Sequence, residues 1–79
     1  MKDVLSFIVS GIVDNKDAVS VSEELVDQTH VLHIAVANED VGKVIGKQGR
    51  IIRAIRNVMK IPAIKQEKLI NVVLETPDA

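Results

Sequence analysis

Gly46 and Gly49 stand three residues apart between two helical patterns and force a helix-turn-helix junction into the middle of this chain. Glycine has no Cβ, so it reaches positive φ cheaply and lets other groups approach the backbone closely. Ahead of the junction, Asn38 reads as a helix N-cap with Glu39 and Asp40 in the first turn, where the helix dipole favours negative charge. Behind it, Ile51, Ile52, Ile55, Val58 and Met59 share one arc of a helical wheel. Arg50, Arg53, Asn57 and Lys60 share the opposite arc, with Arg56 at its shoulder. Pro62 is expected to end this helix near Ile61.

The apolar period assigns the remaining segments. Val4, Leu5, Ile8, Val9, Ile12 and Val13 recur at helical spacing, which predicts an amphipathic helix from about Lys2 to Asp14, with Phe7 off its stripe. Val19, Val21 and Leu25 alternate with polar residues as a half-buried strand does, and Asp27-Gln28-Thr29 supplies a short connection. The second arm, Thr29 to Ala37, sets Leu32, Ile34 and Val36 on one face and Val31, His33 and Ala35 on the other. After a polar stretch from Lys65 to Lys68, Leu69 to Leu74 reads as a strand with Ile70, Val72 and Leu74 facing one way. The order is α-β-β-α-α-β. A strand, two helices and a further strand imply a right-handed crossover and a parallel pairing beside the hairpin. The expected fold class is α+β: a three-stranded mixed sheet with the helices packed on one face.

A chain of 79 residues has room for one core, so a single domain over 1–79 is expected. Its only aromatic residue is Phe7, which leaves the core to Val, Ile, Leu and Ala. With no cysteine there is neither a disulfide framework nor a thiolate metal site, and a cytoplasmic setting fits best. The apolar run from Val4 to Val13 is too short to cross a bilayer, and Asp3, Ser6, Ser10 and Gly11 argue against a signal peptide.

The formal net charge of -1 conceals a division of the chain. Residues 1–40 carry two Lys against eight acids; residues 41–68 carry eight Lys and Arg against Glu67 alone. A basic third on an acidic body describes a local anion-binding face, a different design from a uniformly cationic coat protein. The glycine junction lies inside that third. Lys47 sits between the glycines, Lys43, Arg50 and Arg53 extend a basic rim, and amides at a helix N-terminus suit phosphate oxygens.

Other chemistries fit poorly. Residues Gly42 to Lys47 fall one short of the phosphate-loop spacing, and Gln48 stands where that loop needs Ser or Thr. His30 and His33, three apart on a strand, point to opposite faces and make a poor metal pair. The carboxylate pairs Glu23-Glu24 and Glu39-Asp40 have no positioned nucleophile. No catalytic residue, metal or cofactor is expected, and the chain is not read as an enzyme.

The phrase VGKVIGKQGRII, together with the helix and hairpin ahead of it, resembles the type II KH domain over essentially the whole chain, in the stand-alone bacterial form of the KhpA family. The resemblance implies a type II KH fold that binds single-stranded RNA, as an RNA chaperone or post-transcriptional regulator. It also implies a homodimer, a heterodimer with a larger Jag-type KH partner, or both; the alternative function is a protein-interaction module whose Jag-type partner supplies most of the RNA affinity. Gly46, Lys47, Gln48 and Gly49 would clamp the RNA backbone, with Lys43, Arg50 and Arg53 around them. Ile45 and Ile52 would floor an apolar groove whose far wall is Ile70 to Leu74. Aromatic rings are not required, because KH grooves depend on backbone contacts and base edges rather than on stacking. The cluster Met59, Ile61, Pro62, Ala63 and Ile64 is expected to form the dimer surface.

Overall fold

The computed structural model describes residues 2–75. Helix α1 spans Lys2–Ser10, strands β1 and β2 span Ser20–Val26 and Thr29–Ala35, helices α2 and α3 span Val41–Ile45 and Arg50–Lys65, and strand β3 spans Leu69–Leu74. Short 3₁₀ turns occupy Lys16–Ala18, Asn38–Asp40 and Lys47–Gly49. The sheet order is β1-β2-β3, antiparallel between β1 and β2 and parallel between β2 and β3. The expected element order and mixed sheet are therefore both present.

One face of the sheet makes the core. Leu32 and Ile34 of β2 and Val72 of β3 are buried there against Leu5 and Val9 of α1, Val44 of α2, and Ile52, Ile55 and Met59 of α3. Register places Leu32 beside Val72 and Ile34 beside Leu74, so the two parallel strands present their apolar residues in step. Truncating a fully buried Leu or Ile of such a core to Ala costs about 2–5 kcal/mol.

Several boundaries differ from expectation. Helix α1 ends at Ser10 rather than Asp14, yet Val13 stays buried because its N–H still bonds Val9 C=O across the turn at Gly11. The hairpin loop is two residues, Asp27 and Gln28, both at positive φ, and Thr29 already pairs with Val26. Two-residue loops of this kind match the right-handed twist of the strands they join. Leu25 shares the face of Val21 but lies at the hairpin end and stays exposed. Strand β2 stops at Ala35, short of Ala37.

Pro62 does not end α3. The helix continues to Lys65 with Pro62 inside it, and Ala63 is buried. The proline lacks the N–H that would bond one turn back and so weakens the ladder there. Closure further along offsets this loss. Lys68 N–H bonds Ala63 C=O at 2.9 Å and Glu67 N–H bonds Ile64 C=O at 3.0 Å, with Glu67 at φ 55°. This is a Schellman ending with a glutamate in the left-handed position that glycine usually takes.

Asn38 is not a helix cap; neither the Asn38–Asp40 turn nor α2 has a side-chain cap. Asp40 goes elsewhere. Fully buried, its carboxylate accepts hydrogen bonds from the Asp14 N–H at 3.2 Å and the Asn15 N–H at 3.0 Å. It thereby ties the start of α2 to the segment leaving α1. Chiefly through the Asn15 N–H, these bonds hold the Asp40 carboxyl below the ordinary aspartate range.

Candidate functional site

The junction between α2 and α3 has the backbone that its glycines predict. Gly46 adopts φ 76°, ψ 175° and Gly49 φ 74°, ψ 17°, with Gln48 also left-handed at φ 58°. The Gly46 pair lies in a region that is essentially closed to other residues. It breaks the helical path, and the chain continues in a 3₁₀ turn in which the Gly49 N–H bonds Gly46 C=O at 3.2 Å and the Arg50 N–H bonds Lys47 C=O. Side-chain space differs at the two glycines. A Cβ on Gly46 would lie 2.5 Å from Ile51 Cγ1 and 2.8 Å from Ile51 Cβ, whereas a Cβ on Gly49 would meet nothing within 4 Å.

Arg53 reaches back from the first turn of α3 to hold this loop. Its Nε donates to Gly49 C=O at 3.2 Å and its guanidinium donates again to Gln48 C=O at 2.9 Å. Two loop carbonyls are thus engaged by a cation. Lys47 and Gln48 are exposed beside them, and so is Arg50. The first turn of α3 has no acidic residue although the helix dipole favours one there; it carries Arg50 and Arg53 instead. Stacking cations on a positive helix end opposes stability by a few tenths of a kcal/mol per charge and concentrates positive potential at one point.

The structure distributes the other expected site residues differently. Ile45 is half-buried at the end of α2. Ile52 is only 8% exposed and belongs to the core, so it does not floor an open groove; its neighbour Ile51, expected on the buried arc, packs under Gly46 with one edge in solvent. Lys43 is exposed but engaged in ion pairs. Its Nζ bonds Asp14 Oδ2 and lies 3.6 Å from Asp40 Oδ1, and the hydrogen bond to Asp14 raises its pKa. Sequence periodicity had no means of showing this, because Asp14 and Lys43 meet only once α1 and α2 have packed.

Arg56 is the residue that sequence reasoning left at the margin. From the shoulder of α3 its Nε donates to Val72 C=O of β3 at 3.1 Å. Arg56 and Lys60 with Ile70, Asn71 and Val72 line an open groove of about 160 Å³ between α3 and β3. The spacing Arg53, Arg56, Lys60 on one helical side was the signal available.

The histidines take opposite sheet faces, as expected. His30 Nδ1 lies 2.8 Å from Glu23 Oε2, while His33 is 3.3 Å from Glu24 and 3.2 Å from Glu75. Hydrogen bonding to His30 lowers the Glu23 pKa. Among the described residues no helix is long and apolar enough to cross a membrane.

A junction of this geometry, between a short and a long helix packed on a three-stranded mixed sheet, has counterparts in sequence. A sequence model described as "KhpA/KhpB, KH domain" matches residues 2–75. A protein of Clostridium acetobutylicum called RNA-binding protein KhpA is 52% identical over 68 residues, which cover 86% of this chain and 91% of the relative. Proteins of the same name from Clostridium perfringens and Caldanaerobacter subterraneus are each 47% identical over the same shares. No solved structure matches. Fold, junction and near full-length similarity agree: the chain belongs to the KhpA/KhpB family of KH domains.

Proposed function

We propose that this chain binds single-stranded RNA, clamping the sugar-phosphate backbone at Gly46, Lys47, Gln48 and Gly49 and laying bases in the groove between α3 and β3. The observation that carries this reading is the grip of Arg53 on the Gln48 and Gly49 carbonyls. A loop whose oxygens are neutralised, with Lys47 and Arg50 exposed beside it, offers a phosphate little repulsion and two cations. The relatives' name, RNA-binding protein, supports the same ligand. Lys43 and Ile52 contribute indirectly, Lys43 by tethering α2 and Ile52 by seating α3 in the core. Nothing in the reading involves catalysis or a cofactor, and its setting is the cytoplasm, as an RNA chaperone or post-transcriptional regulator.

Titration of a short single-stranded RNA across several salt concentrations tests the clamp. Lys47→Asp and Gly49→Asp should each weaken binding about tenfold, and Lys47→Ala should flatten the salt dependence by roughly the 0.7 in slope of one phosphate contact. Gly49 suits this test because its Cβ position is open and aspartate tolerates the left-handed region. Wild-type affinity in both Asp variants, with circular dichroism unchanged, removes the clamp from the proposal.

A loop on so small a domain binds weakly alone, and a second copy would supply avidity. The surface for it follows α3. Met59 and Ala63, expected in the dimer cluster, are core residues, but Ile61 is 60% and Ile64 73% exposed, with Val58 one turn earlier also in solvent. On α1, Phe7 is 71% exposed. These exposed apolar side chains support α3 as the proposed association face. Sedimentation should give twice the chain mass for the wild type and the single-chain mass for Ile61→Asp. A variant that sediments like the wild type refutes the α3 face, and a monomeric wild type shifts the reading to a larger Jag-type KH chain as the occupant.

A further inference from the structure

We infer that Arg56 makes the groove select bases whose exposed edge carries a carbonyl, uracil and guanine, over those carrying an amino group there, cytosine and adenine. The inference rests on the RNA-binding reading and adds the specificity determinant.

Among the described residues strand β3 is an edge strand, paired with β2 alone. The Glu75 N–H bonds Ile34 C=O at 2.8 Å, and backbone groups alternate sides along a strand. Asn71, Val73 and Glu75 therefore turn their backbone groups toward β2, while Ile70, Val72 and Leu74 turn theirs to the open edge. An open edge normally offers donors and acceptors alike. At Val72 this balance is broken, because its carbonyl accepts the Arg56 Nε–H at 3.1 Å.

What remains at that point of the groove is donor-rich. Val72 itself is buried, at 2% exposure, so the polar groups lining the groove are the terminal N–H groups of Arg56 and the ammonium of Lys60, with the Ile70 carbonyl as the backbone acceptor. The Asn71 amide both donates and accepts, so it does not discriminate. Arginine pairs bidentately with guanine O6 and N7, whereas adenine presents an amino group at the corresponding place. Uracil O4 and the cytosine 4-amino group differ in the same sense. An amino group set against these donors loses its own partner and leaves an N–H of Arg56 unpaired as well. The Nε bond also fixes the guanidinium plane, so Arg56 cannot swing aside cheaply to accommodate it.

The test compares single-stranded octamers of equal charge at one ionic strength: oligo(U) against oligo(C), and oligo(inosine) against oligo(A). Each pair exchanges a carbonyl for an amino group with little change of shape. Wild-type protein should prefer the carbonyl member by about tenfold in both pairs. Arg56→Met keeps an apolar stem on α3 and frees the Val72 carbonyl; it should weaken all four octamers while bringing each ratio to about one. Arg56→Gln, checked for an unchanged melting curve, guards against a packing artefact in the first variant. Equal wild-type affinities within each pair overturn the inference, as does a preference that survives in both Arg56 variants. Failure of all four octamers to bind overturns the RNA-binding reading itself, and this inference with it.

Discussion

Gly46→Ala should destabilise the protein by about 3–5 kcal/mol, whereas Gly49→Ala should cost about 1 kcal/mol. The two glycines occupy matching places in the motif, but their surroundings differ. Gly46, at φ 76°, ψ 175°, is in a region where any Cβ strains the backbone. The added methyl would also lie 2.8 Å from Ile51 Cβ, an atom fixed to the helix backbone that no rotamer change moves away. Relief requires shifting the start of α3, and with it Ile52 and Ile55 in the core. Gly49 is left-handed, at φ 74°, ψ 17°, with open space where a Cβ would stand, so only the conformational cost applies. Urea unfolding at constant m checks both values. A Gly46→Ala midpoint equal to that of Gly49→Ala would show that Ile51 accommodates the methyl. Loss of 3 kcal/mol or more is a large part of the stability of a small domain, so RNA binding lost on changing Gly46 reports on folding first.

Asp40→Ala should lower the melting temperature at neutral pH by on the order of 10 °C, the effect of removing a carboxylate that accepts two backbone N–H bonds in a small domain. The loss should shrink in acid. Because the native fold holds the Asp40 carboxyl below the unfolded value, the folded state binds fewer protons and stability rises with pH across this range. The contribution is fully present above the unfolded pKa of about 4 and disappears as pH falls through the lower folded value. Glu23, also held low, weakens the fold in acid too, but equally in both proteins. Melting curves from pH 7 to pH 3 should therefore converge, and a gap independent of pH would assign the loss to packing instead of charge.

What could be seen in the sequence was whatever repeats with a short period. The alternation through Leu32 and Ile34 and the helical spacing of Ile52, Ile55 and Met59 are local signals of burial, and they gave the layers and the mixed sheet. Boundaries were harder, since tertiary contacts decide them. Pro62 carries a strong local stop signal, yet burial of Ala63 and the closure at Glu67 extend α3 beyond it. The loop's backbone was legible because glycine has few other reasons to appear twice there. The duties of the cations around it were not: Lys43, Arg53 and Arg56 look alike in sequence, and their partners, Asp14, the loop carbonyls and Val72, are set by packing. The basic rim is thus divided between charges held by internal partners and charges, at Lys47 and Arg50, that stay exposed.

The parallel pairing of β2 with β3 also orders events in time. The β1–β2 hairpin closes over two residues and can form in microseconds, whereas Leu32 and Val72 are partners forty positions apart and must wait for both intervening helices. The glycine loop is synthesised about twenty residues before Leu69, and the strand that walls the groove is the last element. A chain interrupted before Leu69 holds the glycine loop without the β3 wall of the groove. On the proposed RNA-binding reading, a full grip on RNA would therefore require the last strand to be in place, which ties binding to completion of the fold.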